Sequence, residues 1–166
     1  MPNPTPLLTQ AAQSLPSIPS LLPLDPLALK VLGVVTALLF FKMLALGVTQ
    51  GAIRLKRDVY PNPEDAAYNG KNPVAPAEHP DVVRVSNAYR NDLENIPIFI
   101  ALAWAFLSLH CSDTWAPVYF GIFTLARFGH SWFYLKALQP WRALAFAAGA
   151  LVNAAMAIQL LAAAFH

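Results

Sequence analysis

The chain has 166 residues, of which 57% are hydrophobic and only 12% charged, with a formal net charge of +2 and a mean hydropathy of +0.46. Soluble domains carry about 25% charged residues, so this chain lacks the polar surface to cover a water-soluble globule, and a one-domain polytopic membrane protein is the default. No basic run with interleaved aromatics points to nucleic acid, and the single Cys111 excludes an intrachain disulfide and a cysteine-cluster metal site.

Residues 1–26 hold seven of the fifteen prolines and no Lys or Arg. A secretory signal needs a basic segment followed by a continuous apolar run, and neither is present. The stretch reads as an extended, polyproline-like arm preceding a membrane domain over 27–166.

Four hydrophobic segments follow. The first runs from about Leu27 to Leu55 and opens on Asp25-Pro26, a capping residue followed by proline at the first helical position. The second begins near Asp81, after His79-Pro80, and reaches about Leu109. The third covers about Ala116 to Leu138, and the fourth starts at Gln139-Pro140 and ends at Phe165. Each can cross ~30 Å of hydrocarbon at ~1.5 Å per residue. Continuous apolar runs without period-two alternation make them helices rather than barrel strands. The predicted fold is an all-α, four-transmembrane-helix bundle in up-down order. The connection between the first two helices, RDVYPNPEDAAYNGKNPVAPAEHPD, is rich in turn formers and reads as a long loop.

Basic residues set the orientation. Arg54, Lys56, Arg57, Lys71 and Arg84 lie in or beside the first connection, and Lys136 and Arg142 flank the last. The segment LHCSDTWAP between the second and third helices has no Lys or Arg. Both termini are therefore expected outside, with the 1–2 and 3–4 connections cytoplasmic.

Ionisable groups inside a membrane helix are costly enough to mark functional candidates. On the second helix Arg90, Asn91 and Glu94 share one broad face at i, i+1 and i+4, while Asp92 is rotated away from it. On the third helix Arg127, His130 and Tyr134 form one stripe at i, i+3 and i+7. Two polar stripes at similar depth suggest a shared polar cavity. An ion pair of Arg127 with Asp92 or Glu94 that only ties helices together is the competing reading, and Lys42 is expected to pair within the bundle or to snorkel. Pro97 frees the carbonyl of Leu93 just beyond the polar cluster. Arg142 stands in the first turn of the fourth helix, where a guanidinium and the positive helix end converge on an anion. A thiolate is one such anion: lowering a thiol pKa from ~8.5 to ~6.5 needs about 2.7 kcal/mol of differential stabilisation. An interfacial anchor is the alternative role. The four histidines are too scattered for a metal set, and no phosphate loop, zinc-protease motif or nucleophile elbow occurs.

The segments FKMLALG…GAIRL…NPEDA, RVSNAYRNDLENI, ARFGHSWFYL and WRALAF resemble, in order and in all four helices, the membrane-associated eicosanoid and glutathione metabolism (MAPEG) family. The resemblance covers about residues 27–165. It implies a homotrimer, with glutathione bound between neighbouring subunits on the cytoplasmic side of an integral membrane protein. By position it places glutathione contacts on Arg54, Arg90, Asn91, Glu94, His130 and Tyr134, and the thiolate on Arg142. It also implicates Asp65 in catalysis. The implied partners are membrane lipids and a hydrophobic electrophile or lipid hydroperoxide, which makes a membrane glutathione transferase, with peroxidase activity, the expected function. The prostaglandin synthase branch resembles R-S-x-x-Y after this arginine, whereas the present chain has Arg142-Ala143-Leu144-Ala145-Phe146 and lacks both hydroxyls. A glutathione-dependent isomerase is therefore the second expectation, and a non-enzymatic lipid-binding scaffold the third. Arg90 agrees better with the synthase branch, and Asn87 stands where that family commonly has an arginine near glutathione.

Overall fold

The computed structural model describes residues 24–70 and 73–165. The proline-rich arm lies outside the described residues up to position 23, so its expected extended form has no structural counterpart here.

Five helices make up the described chain: α1 (Pro26–Arg57), α2 (Pro63–Tyr68), α3 (Pro80–Ser108), α4 (Trp115–Leu135) and α5 (Trp141–Ala164). Asp25 caps α1 as its sequence suggests, with Oδ2 accepting from the Ala28 amide at 2.8 Å and Oδ1 from the Leu27 amide at 3.4 Å. That satisfies two of the amides a helix start leaves orphaned. α3 runs through Pro97 as a single helix, so the polar RND cluster and the apolar stretch after it belong to one element.

Two boundaries differ from the sequence expectation. NPED is not loop: Pro63 at the first helical position, with Glu64 and Asp65 in the first turn, starts the short helix α2. α4 stops at Leu135 rather than Leu138. There the Leu138 amide donates to the Phe133 carbonyl at 2.9 Å and the Ala137 amide to the Tyr134 carbonyl at 3.1 Å. Ala137 sits at φ +56°. This left-handed closure ends the helix although no glycine announces it. His110, at φ +47°, closes α3 in the same way.

α3 and α4 form the centre. α1 packs on both, α5 packs on both from elsewhere, and α1 and α5 do not pack on one another. The core is aliphatic and aromatic, joining Leu32 and Leu39 of α1, Phe99 and Phe106 of α3, Phe120 and Phe123 of α4, and Met156 of α5. Phe99 and Phe123 stack with centroids 3.9 Å apart and planes 4° apart, and Phe120 meets Phe99 edge-on at 5.8 Å. α1 and α5 are long and apolar enough to cross a membrane, and only 28% and 17% of their apolar windows are buried. Such helices would be mostly buried in a soluble core. Here Phe40, Phe41, Val48, Leu151, Ile158 and Leu161 face outward, an apolar surface suited to lipid.

Candidate functional site

At the N-terminal end of α5 the chain brings two arginines to one cavity of about 220 Å³, lined by Pro80, Val83, Arg84, Asn87, Tyr134 and Arg142. Arg142 is half-buried. Its guanidinium lies over the Tyr134 ring, 4.7 Å from Cζ to centroid. With its carboxamide oxygen turned toward the guanidinium, Gln139 accepts from Arg142 Nε and Nη2 at 3.1 and 2.6 Å. The Arg142 backbone N–H is satisfied by the Leu138 carbonyl at 3.1 Å. The guanidinium, rather than that amide, is thus the group at this helix end with N–H donors still to offer. Its remaining N–H donors and the Tyr134 hydroxyl can hold an anion from two sides.

His130 lies one turn deeper on α4. It is buried, with ring centroids 5.7 Å from Tyr134 and 6.3 Å from Phe146. Its Nδ1 is buried without a hydrogen-bond partner among the described residues. An orphaned buried nitrogen is costly, so the imidazole is not fully satisfied by its own chain.

The polar run of α3 divides as its helical spacing suggests. Arg90 and Glu94 are exposed, Asn91 is partly exposed, and Asp92 is fully buried. Asp92 is the hub of an interior ion cluster. Its Oδ1 accepts from Arg127 Nε at 3.1 Å and Nη2 at 2.7 Å, while its Oδ2 accepts from Lys42 Nζ and from the Ser131 hydroxyl at 3.3 Å. Arg127 Nη2 also donates to Asn91 Oδ1 at 2.5 Å. The expected single polar cavity is therefore split. Arg127 and Asp92 pack as an internal tie with Lys42, and Tyr134 and Arg142 line the cavity. The reason is depth: Arg127, a further turn into α4 from His130, lies level with Asp92 of α3 and against Gly149 of α5, away from the helix start that carries Arg142.

Arg54 and Asp65 line a different cavity of about 180 Å³, with Gly51, Leu55, Tyr60 and Asn69. Arg54 is not free there. Its Nε and Nη2 donate to Glu78 Oε2 at 3.0 and 2.5 Å. Asp65 Oδ2 accepts from Asn62 Nδ2 at 3.0 Å. The chain therefore groups Arg142, Tyr134 and His130 at one place and Arg54 with Asp65 at another, and it leaves Arg90 and Glu94 on the outer face of α3.

Sequence reasoning missed Arg84 and Glu78 as site-shaping residues. Arg84, Asn87 and Asn91 fall at i, i+3 and i+7, a spacing that marks a common face. Glu78 stands in a connection without periodicity, so nothing local pointed to Arg54. Cys111 lies between α3 and α4 with Sγ 4.0 Å from the Gln159 carbonyl. Burial pushes its thiol above the usual range, as befits a packed thiol rather than a nucleophile.

Among known proteins, a family profile described as the MAPEG family matches residues 32–162. Prostaglandin E synthase from Bos taurus is 36% identical over 126 residues, covering 75% of this chain and 82% of that protein. The Homo sapiens prostaglandin E synthase is 34% identical over 127 residues, covering 76% and 83%. Microsomal glutathione S-transferase 1 from Homo sapiens is 36% identical over 124 residues, covering 72% and 80%.

Proposed function

Because the chain belongs to the MAPEG family, we propose that it is a membrane glutathione transferase whose residues 27–166 span the bilayer four times. The observation that carries this reading is the convergence of Arg142 and Tyr134, joined by Arg84, on one cavity at the α5 start. Arg142 holds the glutathione thiolate. The thiolate sulfur attacks an electrophilic carbon of a substrate arriving from the lipid. A carbon–sulfur bond forms, and the leaving group departs with its bonding electron pair.

The site is completed by a neighbouring subunit of a trimer. Ligand pockets run to ~300–1,000 Å³, more than the 220 Å³ one protomer encloses around Arg142. Arg90 and Glu94 stand about 15 and 21 Å along α3 from its start at the 1.5 Å rise, on a face that is exposed in the protomer. Charges at such depth cost up to about 3 kcal/mol each against lipid, and covering them with a second subunit removes that cost. In this arrangement Arg54 and Arg90 meet the glutathione carboxylates, Glu94 its ammonium, and Asn91, His130 and Tyr134 its polar backbone, with Asp65 beside Arg54. The site faces the cytoplasm. For Arg54, glutathione binding has to compete with Glu78 or share the guanidinium with it.

A second reading, a glutathione-dependent isomerase of the prostaglandin E synthase kind, is favoured by the identities to those synthases. Ala143 and Phe146 weigh against it, because neither can bring a hydroxyl to the thiol. The test compares wild type and Arg142→Ala for conjugation of a hydrophobic electrophile, and for conversion of a lipid endoperoxide. Conjugation lost in the variant is the expected result. Equal conjugation rates would sink the role given to Arg142, and endoperoxide conversion without conjugation would select the isomerase.

A further inference from the structure

The interior ion cluster touches the outer polar face of α3 at one point, the hydrogen bond from Arg127 Nη2 to Asn91 Oδ1 at 2.5 Å. Arg127 is 1% exposed and its guanidinium is fixed by two donations to Asp92 Oδ1. Asp92 is itself held from α1 by Lys42 and from α4 by Ser131. The planar fork of an arginine is pre-organised, so three helices converge to fix where the Asn91 oxygen goes.

A carboxamide has one acceptor end and one donor end, and nothing in its own shape decides which faces a ligand. With Oδ1 taken by the buried guanidinium, the Nδ2 donors are turned the other way, and they bond to no group among the described residues. Asn91 is partly exposed and lies between Arg90 and the turn carrying Glu94. From this geometry we infer that Arg127 is a positioning residue, which locks Asn91 as a hydrogen-bond donor toward an acceptor oxygen of glutathione. The inference rests on the glutathione reading above and adds a residue that does not touch the ligand. It also gives the cluster a role beyond tying helices together, because Lys42 and Ser131 hold the carboxylate that aims Arg127.

The test is a double-mutant cycle on glutathione binding, read by calorimetry on the detergent-solubilised full chain. Arg127→Lys keeps the charge beside Asp92 but loses the planar fork whose two donations to Asp92 fix the nitrogen that holds the Asn91 oxygen. Asn91→Ala removes the donor. Each single variant is expected to weaken binding about tenfold, the loss of one good hydrogen bond, and the double variant also about tenfold, because Arg127 acts through Asn91. A merely structural Arg127 gives additive losses, about a hundredfold in the double variant, and that result overturns the inference, as does wild-type affinity in Arg127→Lys. Should Arg127→Lys not fold, Asn91→Asp carries the test. It keeps an oxygen for Arg127 and loses the donor, so binding is expected to fall at least tenfold with an undiminished melting temperature, and unchanged binding overturns the inference. Wild type that binds no glutathione overturns the proposed function and this inference together. Binding by wild type with unchanged variants overturns the inference alone.

Discussion

At the scale of residues, the proposed conjugation turns on Arg142 and on the thiol beside it. Conjugation requires thiolate, so the rate rises with pH through the thiol's pKa and then levels. A guanidinium favours the anion and lowers that pKa, which moves the plateau to lower pH. If the shift is from ~8.5 to ~6.5, Arg142→Ala should move the plateau up by about 2 pH units. The variant's deficit should then be about twentyfold at pH 7 and shrink above pH 9. A pH–rate profile checks this, and a deficit that stays constant with pH would mean that Arg142 acts by some other route. Arg142, His130 and Tyr134 could be read from sequence because helix periodicity and a helix start announce them. Asp92 could be placed on a different face from Arg90 for the same reason. Arg127 was one of its anticipated partners, and Lys42 was expected to pair within the bundle; the choice of Asp92 over Glu94 and the contact with Ser131 were not legible, since they depend on packing depth. The pairing of Arg54 with Glu78 across 24 positions was equally illegible.

At the scale of elements, the cluster of Lys42, Asp92, Arg127 and Ser131 is the main polar tie among α1, α3 and α4. Removing one member of a buried ion set leaves a charge uncompensated, at about 3–5 kcal/mol. Asp92→Asn should therefore lower the melting temperature by on the order of 10 °C for a chain of this size, which a thermal scan in detergent would reveal. By contrast, the exposed pair Arg57–Asp81, at 2.7 Å, ties α1 to the start of α3 and is worth about 0–1 kcal/mol. The contact of α4 with α5 depends on Gly149, whose added Cβ would sit 3.7 Å from the Phe123 ring and 3.8 Å from Arg127 Cδ. Those are ordinary contact distances, so Gly149→Ala should be accepted. Gly149→Leu should overpack the seam and lose about 1–3 kcal/mol, and equal melting temperatures for the two variants would contradict that packing. The helices themselves were legible because apolar runs and the Asp25-Pro26 start are local signals. The end of α4 was not, because its left-handed closure falls on Ala137, a residue without that preference.

At the scale of the whole molecule, two features of the single chain bear on the proposed trimer. Its cavity at Arg142 is small, and it carries Arg90 and Glu94 on an outer face among apolar neighbours such as Leu93 and Ile98. Both observations favour an assembly in which a second copy covers α3. Native mass spectrometry from detergent should give three protomers, and Glu94→Lys, which reverses a covered charge, should shift that population toward smaller species. A monomer with full conjugation activity would contradict the shared site. The most direct test of the central claim, that Arg142 holds glutathione as a thiolate, is ultraviolet difference absorbance on titrating glutathione into the protein at pH 7. The expected result is a saturable thiolate band in wild type that is absent in Arg142→Ala. The same band in both proteins, or in neither despite measurable binding, would contradict it.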